Sequence, residues 1–287
     1  MKILKTLCLL AFAAVMPAML TSCDDDDEPS SSASSSSSAP YFGLRDCGKV
    51  ISSLDMEYGS SISFVYDGSG RVVEVRGVNE TVSYDYNSQT GKAVEEYDSD
   101  KIISFDADAN GRFNSLTQED SWDKDKDAYE FRYNSDGNVI SVVETFSEVL
   151  DGKLTNTFCY TCTFMWDGDL LTSVRCTERG LDDSTDEYEM KITYSDVDNK
   201  YRTPLCGLTT LLFEGWLYPN ELSIAPAKLP KKIEYYYVQG EVKDELMCKY
   251  SVDDDGFIES EYIEGYVSGI ISHRGVDIRY TYAYKEF

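Results

Sequence analysis

The sequence predicts an all-β protein: a large up-and-down antiparallel sheet, curled or rolled into an open barrel, with one short helical segment near residues 205–216. Three observations lead there. The 22 Tyr and 12 Phe of the chain alternate with Val, Ile and Thr over most of its length, and these side chains fit a pleated, half-buried surface. A hairpin motif of aromatic, Asp or Asn, two turn residues and Gly recurs between strand-like runs. Only the stretch from Pro204 to Pro230 breaks the alternation, with Leu205, Leu208, Leu211, Leu212 and Trp216 at helix-compatible spacing.

Composition bounds the rest. At 287 residues and 42% hydrophobic, the chain has material for one packed domain or two. Lys and Arg number 26 against 52 Asp and Glu, a net charge of −26. Nucleic acid is not an expected partner, because its affinity comes from Lys/Arg contacts that release counterions. The single histidine, His273, excludes multi-histidine metal sites and leaves a nucleophile–histidine pair nowhere else to form. Its Ile-Ser-His-Arg-Gly setting reads as an exposed loop edge.

Taken in order, Met1 to Ser22 has the tripartite form of a secretory signal: Lys2 and Lys5, an apolar stretch from Leu7 to Val15, then small residues before a cysteine. That stretch is shorter than the ~20 residues a spanning helix takes. Leu20-Thr21-Ser22-Cys23 resembles the lipobox of bacterial lipoproteins. The resemblance implies lipidation of Cys23 and a membrane partner held through the anchor, since several acyl chains at ~0.8 kcal/mol per buried CH₂ hold where one is marginal. Asp24-Asp25-Asp26-Asp27-Glu28 follows at once. An acidic run in that place resembles the surface-export signal of Bacteroidetes lipoproteins, which implies the outer membrane facing the exterior; a solvated acidic spacer is the alternative. Pro29 to Pro40 is nearly all serine and too poor in apolar groups to offset the entropy of ordering. Residues 23–40 therefore read as a tether with a reach of about 20–25 Å, and 41–287 as a single β-meander domain.

The motif begins with Phe64-Val65-Tyr66-Asp67-Gly68-Ser69-Gly70-Arg71 and returns at Phe105 to Arg112, Phe131 to Asn138 and Tyr250 to Phe257, with a shorter form at Phe164 to Leu171. Asp or Asn starts the turn and Gly supplies φ > 0. A loop of Asp67 to Gly70 pairs Phe64 with Val73 and Ile62 with Val75. The same rule pairs Phe131 with Ile140, Phe105 with Asn114 and Tyr250 with Glu259, and leaves one apolar face on the first two hairpins. Val276 to Tyr284 is the cleanest strand, with five apolar or aromatic residues on one side. Between turn signals lie roughly 14–16 strands, mostly sequential neighbours.

These hairpins look like the YD repeats of secreted bacterial proteins. Together with Tyr194-Ser195-Asp196, the Leu/Gly-rich segment to Trp216 and Leu229-Pro230-Lys231-Lys232-Ile233, the chain from about Gly48 onward resembles a Bacteroidetes lipoprotein family of unknown function with a porin-like fold. That resemblance implies a large curled antiparallel sheet and no known activity. Glu74, Arg132 and Lys191 fall opposite the aromatics, where a transmembrane barrel needs an uncharged band, so the domain is expected to be lipid-tethered rather than membrane-spanning.

Candidate sites are few. Asp106, Asp108 and Asn110 before Gly111 match half of a calcium loop, but position twelve is Thr117 instead of a bidentate acid, and turn chemistry accounts for the same residues. Asp123, Asp125 and Asp127 alternate without the glycine. Cys159 and Cys162, three apart on a strand, point to opposite faces. A two-residue loop at Asp167-Gly168 puts Cys159 opposite Cys176, either as a disulfide or as a free buried pair. No cofactor motif is present. The expected function is non-catalytic binding of a neutral glycan or an outer-membrane protein, with an acid-using glycoside hydrolase or a structural scaffold as alternatives.

Overall fold

A computed structural model describes Leu44 and residues 47–287, except 57–59, 97–99, 151, 181–183, 214–216, 218–219, 238–240 and 269–272. The expected signal, Cys23, the tether and Trp216 lie outside the described residues. Sixteen strands are present among the described residues: β1 (Lys49–Met56), β2 (Ser61–Tyr66), β3 (Val72–Arg76), β4 (Glu80–Asp85), β5 (Thr90–Glu95), β6 (Lys101–Ala107), β7 (Phe113–Asp120), β8 (Lys126–Tyr133), β9 (Val139–Leu150), β10 (Lys153–Asp167), β11 (Leu170–Gly180), β12 (Thr185–Asp198), β13 (Lys228–Tyr237), β14 (Glu241–Val252), β15 (Ile258–Ser268) and β16 (His273–Glu286). Each pairs antiparallel with its sequence neighbours, and β1 pairs with β16, so the sheet closes. One helix, α1 (Cys206–Phe213), interrupts the meander between β12 and β13.

Even-to-odd connections lie at one end of the barrel, here the turn end, and odd-to-even connections at the other, the rim. β1 starts at the turn end, where Lys49 is the register partner of Glu286. The wall is uneven. Strands β9 to β12 have 11–15 residues against 5–6 for β2 to β5, and at about 3.3 Å per residue one side stands far taller.

The turn end is built by repetition. In four hairpins the Asp or Asn backbone N–H bonds the carbonyl four residues on, as Asp67 to Arg71, Asp108 to Arg112, Asn134 to Asn138 and Asp253 to Phe257. Its side-chain Oδ1 accepts from the N–H two residues on and again from the N–H four residues on. Gly70, Gly111, Gly137 and Gly256 carry φ of 80–96°, which a side chain would strain.

This five-residue loop brings a bulge that the expected registers lack. Phe64 pairs with Val75, Phe131 with Val142, Phe105 with Leu116 and Tyr250 with Glu261, each two residues beyond expectation. The loop takes one residue more than the expected four and the bulge takes a second, and a shift of two keeps the same face buried. Consequently Phe105 faces a buried Leu116 rather than Asn114. The aromatics before the turns close the ring: the Tyr66, Tyr133, Tyr194 and Tyr284 hydroxyls and the Trp166 indole each donate to a carbonyl at the start of the preceding strand, at 2.6–2.9 Å.

Inward side chains form the core, including Ile51, Leu54, Phe113, Leu116, Val142, Met190 and Ile233. The expected helix forms, and all of its residues but Thr210 are buried. The segment carrying it reaches β15 and β16 through Gly207 and Cys206, β10 through Leu212, and β4 through Glu221. A connection that touches strands so far apart around a closed barrel crosses the lumen and plugs it.

The outer wall is charged. Lys191 pairs with Glu189 at 3.8 Å, Lys232 with Glu234 at 2.9 Å and Glu245 at 3.2 Å, Lys249 with Glu264, and Arg279 with Asp277 at 2.9 Å. Lys191, Lys232, Lys249 and Arg279 sit in mid-strand, where each charge facing hydrocarbon would cost about 2–4 kcal/mol. The outer face of these strands thus carries ion pairs rather than an uncharged band.

Candidate functional site

Above the plug, on the rim side, period-two alternation turns a set of ionisable side chains into the lumen. Glu80 shares a face with Val82 and Tyr84, Lys101 with Ile103 and Phe105, and Asp127 with Tyr129 and Phe131, and the apolar and aromatic members are buried. Glu144 extends the row from Val142, and the plug adds Glu221 and Asn220, both buried. The Tyr84 hydroxyl donates to Glu221 Oε1 at 2.7 Å, and the Tyr129 hydroxyl to Glu144 Oε1 at 3.2 Å. Lys101 pairs with Glu95 at 3.0 Å.

Burial dominates the electrostatics here. It pushes the Glu221 carboxyl up to about 8, against the Tyr84 hydrogen bond, with Glu80 adding repulsion. Glu144 is pushed up to about 7 by burial, offset by Tyr129 and reinforced by Asp127. Asp127 rises to about 6 through burial, with Lys101 opposing. Glu80 rises through burial and the neighbouring Glu95. The result is a vestibule of carboxyls all raised by burial, of which Glu221, at about 8, is raised furthest among those with a value.

A second buried carboxyl fixes the plug to the wall. Glu261 Oε2 accepts from the Gly207 backbone N–H at 2.8 Å and the Tyr282 hydroxyl at 2.7 Å, and Oε1 accepts from Tyr250 at 3.2 Å. Gly207 is required for this contact, because a Cβ there would stand 2.9 Å from Glu261 Cδ. On the far side, the Leu212 carbonyl accepts from Tyr160 at 3.2 Å, and Tyr160 also bonds Tyr188. A recess of about 320 Å³ opens at the β12 bulge, lined by Ser195, Leu229, Cys248 and Tyr250 among others.

The residues singled out from sequence mostly fall elsewhere. Asp106 accepts from Gln89 and Asn114, while Asp108 caps its own turn and pairs with Arg112 at 2.9 Å. Both carboxylates thus serve the hairpin. Asp125 fastens the β7–β8 loop to Val149 at 3.0 Å, and only Asp127 joins the vestibule. Cys176 stands opposite Cys162, not Cys159, whose partner is Arg179. The β10–β11 loop is Gly168-Asp169, with a bulge after Met165 that moves the pairing. His273 begins β16. Sequence reasoning missed Glu144, Glu221 and Glu261. The signal was a lone acid in an apolar row, as in Val142, Glu144, Phe146 and in Asn220-Glu221-Leu222, and for Glu261 a register two residues out.

A closed sixteen-stranded antiparallel barrel defines a class of fold rather than an activity. Two solved structures share it: a porin-like protein from Bacteroides uniformis ATCC 8492, with a TM-score of 0.55 at 12% identity over 82% of this chain and 96% of that one, and a porin-like protein from Bacteroides vulgatus ATCC 8482, with a TM-score of 0.52 at 11% identity over 83% and 99%. The likeness is of fold. No protein-family model matches the chain, and no curated protein matches it by sequence.

Proposed function

We propose that this protein is a lipid-anchored binding protein of the outer-membrane surface that takes a neutral glycan at the rim of its barrel, without turning it over. The observation that carries the reading is the polarity of the barrel. The barrel begins at the turn end, with β1, and the rim is the opposite end. At the rim Trp122, 85% exposed, tops the β7–β8 loop, and Asp125 ties this loop to Val149 beside the exposed Leu150 and Leu154. An open indole face suits stacking on an uncharged sugar ring, and the acidic body repels acidic polymers. The outward tyrosines are less suited, because Lys191 covers Tyr236 and Arg279 covers Tyr262, at 4.2 and 4.4 Å.

A neutral-glycan array read with the wild type and with Trp122→Ala tests this. Binding that falls at least tenfold in the variant supports the rim. Binding that survives the substitution, or an empty array, removes the reading and leaves a scaffold role among outer-membrane proteins, which a pull-down against them reads out. The hydrolase reading draws on Glu144 and Asp127, whose raised pKa values resemble those of general acids. It requires turnover of chromogenic glycosides that Glu144→Gln abolishes; no turnover across a broad panel retires it.

A further inference from the structure

We propose that Cys162 and Cys176 are joined by a cross-strand disulfide in the exported protein. The two are register partners on β10 and β11, and both are fully buried on the inner face of the wall. Among the six described cysteines they alone face each other as strand partners: Cys159 is opposite Arg179 and Cys248 opposite Ile263. Their thiols lie within hydrogen-bonding contact of one another. Directly opposed residues on antiparallel strands hold their Cβ atoms about 4.5–5.5 Å apart. A disulfide takes roughly 3.5–4.5 Å between Cβ atoms and 4.4–6.8 Å between Cα atoms. Closing the bond therefore takes χ1 rotation and a small approach of two strands that are already paired.

The chemistry balances against a disulfide oxidant of the kind that serves exported proteins. Each thiol gives up one proton and one electron, the Sγ–Sγ bond forms, and the oxidant's own disulfide is reduced to two thiols. Burial sets the timing: the pair is reached before the barrel closes and is sheltered from reductants afterwards. The bond fastens the wall under Tyr160 and Tyr188, where Tyr160 meets the Leu212 carbonyl at the end of α1. It closes a 15-residue loop, which lowers the entropy of the unfolded chain.

The proposal rests on export, so the experiment reads the two separately. The full chain is expressed in a host that exports it, the cells are fractionated, and the protein is unfolded in alkylating reagent without reductant and digested. The expected result is a surface-fraction protein with one linked peptide pair joining Cys162 to Cys176. Cys162→Ala then frees the Cys176 thiol and raises the number of alkylated cysteines by one instead of lowering it by one. Reduction should lower Tm by roughly 5–10 °C. Surface protein with both thiols alkylated, or with Cys176 linked to Cys159, overturns the disulfide while leaving export intact. A chain confined to the cytoplasmic fraction overturns export and with it the oxidised state.

Discussion

At the turn end, an aspartate is an acceptor for backbone N–H groups; at the rim, carboxyls are buried beside other carboxyls. Asp67 shows the first condition. Although burial pulls the other way, the Arg71 N–H, the Arg71 guanidinium and the Ser69 N–H hold its carboxyl below the usual range. Asp85, in the β4–β5 turn, is likewise lowered by Ser88 and the Asn87 N–H. Glu80, Asp127, Glu144 and Glu221 show the second, and all are raised. The same chemical group is thus tuned in opposite directions at the two ends, and what differs is the supply of donors per buried oxygen. The turn end uses acidity to build the barrel. The rim buries its acidity instead, and burial raises each of these carboxyls.

The largest effect is expected at Glu261, which is as buried as Glu221 but carries three donors. Its carboxyl is still raised, because burial outweighs the Gly207 N–H and the Tyr282 and Tyr250 hydroxyls. Glu261→Ala takes this acceptor from the Gly207 N–H and the Tyr250 hydroxyl, and leaves the Tyr282 hydroxyl only the Pro204 carbonyl at 3.2 Å. It removes one of the two bonds that fix the start of α1 to the wall, the other running from Cys206 to Tyr282. The expected cost is about 3–5 kcal/mol, read from the denaturant midpoint, with Glu261→Gln recovering more than half by keeping a carbonyl oxygen. A Glu261→Ala protein that unfolds at the wild-type midpoint would show that the plug is held by apolar packing alone.

Next comes the rim. The folded pKa of Glu221, about 8, lies above its unfolded value near 4.5. Its favourable contribution is therefore complete below about pH 4.5 and is lost as pH rises through 8. Stability should fall across that window, and Glu221→Gln, which keeps the acceptor for Tyr84, should flatten the fall. At pH 8 the variant should be more stable than wild type by a few kcal/mol, and at pH 5 about equal, as thermal melts in matched buffers would read. A fall that persists unchanged in the variant would move the titration to Glu144 and Asp127.

This contrast also explains what was legible in the sequence. The turn end was readable because its chemistry is local: Asp67, Gly70 and their copies announce a turn within five residues, and aromatic alternation announces the strands. The antiparallel meander and the helix in the leucine-rich interruption followed from those patterns, whereas closure, which rests on the pairing of β1 with β16, did not. The register was not readable, because a fifth loop residue and a bulged residue together shift the pairing by two, which leaves the apolar face unchanged. Phe64 against Val73 and Phe64 against Val75 bury the same faces. That two-residue error concealed Glu261 behind Glu259, and a three-residue error at the β10–β11 hairpin concealed Cys162 behind Cys159. The vestibule was illegible for a different reason. Glu80, Asp127, Glu144 and Glu221 span over 140 positions, and only closure of the barrel brings them to one mouth.

The smallest effect belongs to the turn motif, and the molecule already contains its control. Asp67 Oδ1 accepts from Ser69 and Arg71 backbone N–H groups at 2.8 and 3.0 Å, while Oδ2 takes the Arg71 guanidinium at 2.7–2.8 Å. Asn134 reproduces only the first half, accepting from the Asp136 and Asn138 N–H groups at 3.0 and 2.9 Å. If the backbone half carries the turn, Asp67→Asn costs about 0.5 kcal/mol or less, since a partly exposed ion pair is worth little. Asp67→Ala, which strands two N–H groups, then costs about 1–2 kcal/mol, by analogy with the loss of a helix N-cap. The pH signs separate the two ends again. A lowered pKa gives stability that is present above the unfolded value near 4 and lost as pH falls, so Asp67→Asn should soften the acid limb of the melting profile and leave the alkaline limb to Glu221. Equal costs for Asn and Ala would reverse the assignment: the Arg71 pair, with its guanidinium 4.4 Å over the Tyr86 ring, would then hold the turn, and the Asn134 hairpin would need another account of its stability.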